Sequence, residues 1–194
     1  MYYLKREVKM KINKLLIFGV LVLVQLFFPA KMIWQQEHII KHGKLYRFKT
    51  KPIDPTDPIR GKYISLNFEA NEFKISNKTD WEDVYCAYAI IETDEKGFAK
   101  VKSVSKTKPT DTENFVWIRT GLFSYDDDED TLTLRYTFDK FYMEESKAAK
   151  AEKLYQKTSE QDITYATVYI KNGKAVLGNV YVNDKPISEL IKQK

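Results

Sequence analysis

Along the chain the alternation of hydrophobic and polar positions changes rhythm twice. From position 15 to 30 the run LLIFGVLVLVQLFFPA carries no charge, and past Lys31 the apolar stretch continues through Met32, Ile33 and Trp34. Those twenty residues, rising about 1.5 Å each in a helix, span about 30 Å, which matches the hydrocarbon thickness of a bilayer. The pattern predicts a transmembrane helix over 15–34, with Lys31 snorkelling to the headgroups and Trp34 as an interfacial anchor. Residues 35–43 keep helical spacing as a juxtamembrane stalk helix that stops at Gly43, a C-terminal cap.

After Gly43 the period becomes two. The stretches 45–51, 61–70, 81–92, 98–106, 114–125, 131–138, 163–171 and 174–182 are rich in Val, Ile, Thr, Tyr and Phe and are separated by turn residues. Asp94-Glu95-Lys96-Gly97 closes one expected hairpin, and Asn172-Gly173 closes another with a two-residue turn. The 81–92 run is apolar on both faces, so it is expected to be a central strand covered on both sides, with Cys86 as a small core residue. One interruption, 144–158, is made of strong helix formers with Ala148, Ala151, Leu154 and Tyr155 on one face. A second short helix is expected near 188–192. No repeat and no linker divides the region, and about 150 residues normally make one domain. The fold class is therefore mainly β: an N-terminal transmembrane helix, then one antiparallel β-rich domain over 44–194, sandwich or barrel-like, with one inserted helix.

Charge adds an orientation. The chain of 194 residues has 32 Lys and Arg against 27 Asp and Glu, a net +5 that on its face suggests a polyanion partner. Five of those bases (Lys5, Arg6, Lys9, Lys11, Lys14) and one acid (Glu7) lie in 1–14, which leaves 27 bases against 26 acids beyond it. The basic segment holds 1–14 in the cytoplasm and sends 44–194 to the extracytoplasmic side, the periplasm of a Gram-negative inner membrane. A start at Met10 would keep a basic flank and the same topology. A cleaved signal peptide is the competing interpretation, disfavoured by bulky Phe28 at the −3 position of a cut after Ala30. The near-neutral body argues against nucleic acid as a partner. The single cysteine excludes an intrachain disulfide, a Cys-x-x-Cys motif and a thiolate zinc cage.

The most distinctive stretch runs from Pro52 to Phe68. Three prolines within 52–58 fix backbone angles, Asp54 and Asp57 can accept local backbone hydrogen bonds, and Gly61 permits a sharp entry into a strand. Gly61, Tyr63 and Leu66 resemble the signature of the GDYXXLXY family of bacterial membrane-anchored proteins, with Lys62 in place of the acidic residue and Phe68 in place of the last tyrosine. The lead-in with Arg60, a second block from Tyr136 through Asp139 to Glu144 and Glu145, and a terminal hairpin over 168–187 are similar to the family's other segments. The resemblance implies a location and an architecture, often beside a multi-spanning membrane protein, and no particular reaction.

Candidate chemistry is sparse. His38 and His42 stand four apart on the stalk helix, a spacing able to present two imidazoles to a metal, but no third ligand is evident and no metal site is assigned. The run Asp126-Asp127-Asp128-Glu129-Asp130 lacks the glycine and alternation of a calcium loop and fits a solvated turn. Arg60 is expected to pin the proline loop by pairing with Asp54, Asp57, Asp139, Glu144 or Glu145; a partner or ligand site on that loop and catalysis stay open beside it. No catalytic residue and no cofactor is assigned. The candidate partner or ligand loop comprises Asp54, Asp57, Arg60, Gly61, Tyr63 and Leu66, with Tyr136, Asp139 and Glu145 as secondary candidates. The chain is thus expected to be a non-enzymatic, single-pass accessory protein that binds a multi-spanning membrane protein. The alternative is an envelope hydrolase or glycan-binding domain using Asp54, Asp57, Asp139 and Glu145.

Overall fold

The computed structural model describes residues 14–51, 63–122, 131–144, 147, 150, 151, 154, 155, 158 and 162–191. Helix α1, Lys14–His42, runs without a break from the apolar stretch into the stalk, with Pro29 inside it and Lys41 and His42 in the last turn, where bases suit the helix dipole. The chain divides into two compact units, Met1–His38 and Ile39–Lys194. Gly43 ends the helix: its N–H donates to the Ile39 carbonyl at 2.7 Å. A Cβ at this position would lie 2.5 Å from the Ile39 oxygen and 3.1 Å from the Ile170 oxygen, so glycine is what lets the first strand begin one residue later.

The second unit is built from short antiparallel strands: β1 Lys44–Lys49, β2 Tyr63–Ser65, β3 Glu72–Lys74, β4 Cys86–Thr93, β5 Ala99–Ser105, β6 Phe115–Leu122, β7 Thr131–Tyr136, β8 Lys140–Tyr142, β9 Thr164–Lys171, β10 Lys174–Val182 and β11 Lys185–Pro186. They form a sheet ordered β1-β9-β10-β11, a ribbon β2-β8 and a sheet ordered β3-β7-β6-β4-β5, curled into a barrel-like wrap about one core. At its centre Phe48, Phe68, Tyr136 and Phe138 pack as a quartet in which all six ring pairs have centroids 4.9–5.8 Å apart. Edge-to-face contacts dominate this cluster, as ring quadrupoles favour.

Both expected hairpins form. In the β4–β5 turn the Asp94 carboxylate accepts the N–H groups of Lys96 (2.9 Å) and Phe98 (2.7 Å), and Gly97 takes a φ of +84°. In the β9–β10 turn Asn172 and Gly173 are both left-handed, at φ +49° and +83°, the twist that suits a two-residue hairpin. This second turn also joins two sheets. The Gly173 N–H donates to the Phe115 carbonyl and its own carbonyl accepts the Trp117 N–H, both at 3.0 Å. Further along, the pairing of β9 with β10 shifts register between Leu177 and Val180, and the Thr167 hydroxyl fills the bulge, accepting the Asn179 N–H at 2.9 Å and donating to its carbonyl at 3.2 Å.

Two expectations need correction. The 81–92 run does not enter the sheet at Trp81: residues Thr79–Trp81 form a 3-10 turn and the strand begins at Cys86. Nor is that strand covered on both faces. Ala87, Ala89 and Ile91 are buried, whereas Tyr88 and Ile90 are half-buried and Cys86 is exposed. An antiparallel sheet curled about a single core has one dry face, and Cys86 lies on the other. Strands β3, β8 and β11, of three, three and two residues, are too short to show a period in the sequence. Of the 144–158 stretch, Lys147, Lys150, Ala151, Leu154 and Tyr155 are helical, with Ala151 and Tyr155 buried in the core. The closing helix is Ile187–Leu190.

Candidate functional site

The early signature strand and the later Tyr136 block meet. Strand β2 pairs with β8 in the register Tyr63↔Tyr142, Ile64↔Phe141 and Ser65↔Lys140, and the Leu66 N–H extends the ladder to the Asp139 carbonyl at 2.7 Å. On its opposite side the strand is tied to the end of β1: the Lys51 N–H donates to the Asn67 carbonyl at 2.7 Å, and Thr50 bridges Phe68. Period two then sorts the side chains. Ile64, Leu66 and Phe68 face the core, while Tyr63, Ser65 and Asn67 face outward. The Leu66 and Phe68 positions of the signature are thus packing residues in this chain, and among its described positions Tyr63 is the one that reaches the surface.

The surface of the ribbon is aromatic and basic. The Tyr63 and Tyr142 rings lie 5.4 Å apart, the Lys140 ammonium stands 5.0 Å over the Tyr63 ring, and Tyr142 is 67% exposed. The sequence reading missed Tyr142 and Lys140 as partners of Tyr63. The available signal was that both belong to the block resembling the family, but their pairing across more than seventy positions leaves no local trace. Asp139 is half-buried and contributes its carbonyl to the ladder. Tyr136 is in the core, its hydroxyl donating to the Ala70 carbonyl at 2.6 Å. Asp54, Asp57, Arg60, Gly61 and Glu145 lie outside the described residues, as does the acidic run 126–130. His38 stacks on Trp34 at 5.6 Å, and among the described residues no cluster of three His, Cys, Asp or Glu side chains could hold a metal.

Buried tyrosines supply the strongest electrostatic perturbations. Burial lifts the Tyr136 hydroxyl above its ordinary range. Burial likewise pushes Tyr155 up to about 12, tempered by the neighbouring Thr50 and Thr164 hydroxyls. Those two bond chiefly to each other, Thr50 Oγ1 donating to Thr164 Oγ1 at 2.8 Å, and stand near the phenol without reaching it in hydrogen-bond geometry. Tyr165 is pushed up to about 12 by burial first and then by Asp184, whose carboxylate accepts its hydroxyl at 2.8 Å. Each phenol is more acidic in the unfolded chain, near 10.0, than in the folded one, so the stability it contributes is intact below pH 10 and declines as pH rises toward 12. An ultraviolet titration of the thirteen tyrosines should therefore show a late fraction that ionises only as the β-sheet circular dichroism collapses. A single smooth titration near 10 with the fold intact would contradict this.

An open groove of about 450 Å³ is lined by Lys49, Glu69, Phe73, Phe98, Lys100 and Ile163 among others. Two of its lysines are held in surface ion pairs, Lys49 with Glu69 at 2.8 Å and Lys100 with Glu92 at 3.1 Å, which fits surface pairing better than an acid–base set. A family model described as GDYXXLXY protein matches residues 25–180 of the chain. No curated protein and no solved structure matches it.

Proposed function

The chain belongs to the GDYXXLXY family, and from that premise we propose a single-pass accessory protein of the bacterial inner membrane, its N-terminus in the cytoplasm and its β unit on the extracytoplasmic side, bound to a multi-spanning membrane protein. The observation that carries the membrane half is α1. The helix is long and apolar enough to cross a bilayer, and none of its apolar stretch is buried within the protein. Leu15, Phe18, Leu23, Phe28 and Trp34 are each more than half exposed, an arrangement that water penalises and lipid does not. The bases clustered in 1–14 support the orientation. The partner half rests on the ribbon: exposed Tyr142 lies beside Tyr63, and tyrosines are among the residues in which binding surfaces are enriched.

Affinity purification from gently solubilised native membranes should recover a stoichiometric multi-spanning protein, and Tyr142→Glu should release it while the β unit stays folded. Repeated recovery of the chain alone, or a partner retained by the variant, would contradict the assignment.

A further inference from the structure

The ladder between β4 and β5 contains a bulge, and the residues around it enclose a further concavity of about 520 Å³. Ile90 stands opposite Ser103 and Ile91 opposite Val101, so Lys102 is the extra residue, with no partner across the ladder. Bulges re-aim a side chain and recur beside functional sites. This one is pinned from both sides. The Ile91 carbonyl accepts the Tyr46 hydroxyl of β1 at 3.2 Å, and the Ile91 N–H donates to the Asn114 carbonyl at 2.9 Å. The Asn114 N–H in turn donates to the Thr112 hydroxyl at 3.0 Å, which fixes the entry to β6. Tyr46 also seats Lys44, whose ammonium stands 5.1 Å over its ring. The bulge and its supports thereby bring Lys44, Lys102, Ser103, Asp111, Thr112 and Asn114 to the wall of one cavity.

The charges on that wall are not matched to one another. The cavity's other carboxylate, Glu92, is engaged by Lys100 at 3.1 Å. Among the described residues, neither Lys44 nor Lys102 has a carboxylate within ion-pair distance, and Asp111 has no base, although all three line the same space. We propose that this cavity binds a small zwitterion, with its oxyanion on Lys44 and Lys102 and its ammonium on Asp111. A simple anion would leave Asp111 facing a like charge, and a simple cation would face two lysines; a ligand carrying both signs satisfies all three. The Ser103 hydroxyl and the Asn114 side-chain amide, both without a partner among the described residues, add donors for the oxyanion. The volume lies in the range of small-molecule sites. Free amino acids and the phosphoethanolamine headgroup of a phospholipid both carry this pair of groups.

Isothermal titration calorimetry of the full chain in an uncharged detergent tests this, with alanine and glycerophosphoethanolamine as the two probes. At least one should bind. Its half-ligands, propionate and ethylamine for alanine or glycerophosphate and ethanolamine for the headgroup, should bind at least about tenfold more weakly, since a charge-assisted hydrogen bond is worth that much. Lys102→Gln should weaken the zwitterion about tenfold, and Asp111→Asn should abolish its advantage over the half-ligand that lacks the ammonium. Both residues are exposed, so both variants should fold, and Lys185→Gln on β11 should bind like the unaltered chain. Binding confined to alanine supports the proposal with a free amino acid as ligand, and binding confined to glycerophosphoethanolamine supports it with a lipid headgroup. Absence of binding by both probes, half-ligands that bind as tightly as the whole, or affinity unchanged in Lys102→Gln and Asp111→Asn would overturn it.

Discussion

Replacing Phe68 with alanine is expected to lower the stability of the β unit by about 3–5 kcal/mol. Phe68 is fully buried and touches all three other rings of the central quartet, so truncation leaves a cavity bounded by aromatic faces that cannot collapse together without moving β1 and β7. Since domains are typically stable by only about 5–15 kcal/mol, the loss should be visible as a large drop in denaturation midpoint, and could unfold the unit altogether. Tyr63→Ala on the same strand supplies the contrast. Its ring is half-buried and packs on an exposed tyrosine, so the expected loss is about 1 kcal/mol. Chemical denaturation of the two variants side by side checks the difference. Equal losses would mean that the inward and outward positions of the signature strand do not divide as described.

The second large effect is at Gly173. Alanine there must adopt a φ of +83°, and its Cβ would stand 2.8 Å from the Phe115 ring. The left-handed conformation costs about 1–2 kcal/mol and the overlap about 1–3 kcal/mol more, for a total of about 2–5 kcal/mol. The same residue exchanges two backbone hydrogen bonds with β6, so strain at the turn loosens the junction between two sheets. A double-mutant cycle with Phe115→Leu separates the causes. Relief of the overlap should make Gly173→Ala less damaging in the Phe115→Leu background, whereas strictly additive losses would show that Phe115 does not constrain the turn.

What was legible in the sequence is what local chemistry encodes. The Asp94–Gly97 and Asn172–Gly173 turns advertise themselves through residues that accept left-handed angles or cap their own backbone, and α1 through an unbroken apolar run. The class, mainly β after one apolar helix, follows from the change of period at Gly43. Long-range pairing was not legible. Nothing between Tyr63 and Tyr142 signals that they are neighbours, although both their segments stood out on other grounds. Cys86 was misplaced because an apolar strand with small residues on both faces looks doubly buried; the exposed arginine opposite it reveals which face is wet, and that requires the ladder. Leu66 and Tyr136 stood among the candidate site residues as motif positions, and the structure gives both a packing role, Leu66 through burial and Tyr136 through the quartet and its bond to Ala70.

The central claim is that α1 is a membrane span that delivers the β unit to the extracytoplasmic side. A protease added to intact spheroplasts, acting on an epitope tag fused after Lys194, tests it most directly. The account predicts that the tag is digested without lysis, while an N-terminal tag survives until the membrane is opened. A C-terminal tag protected until lysis, or a chain released from washed membranes as a free protein, would contradict it.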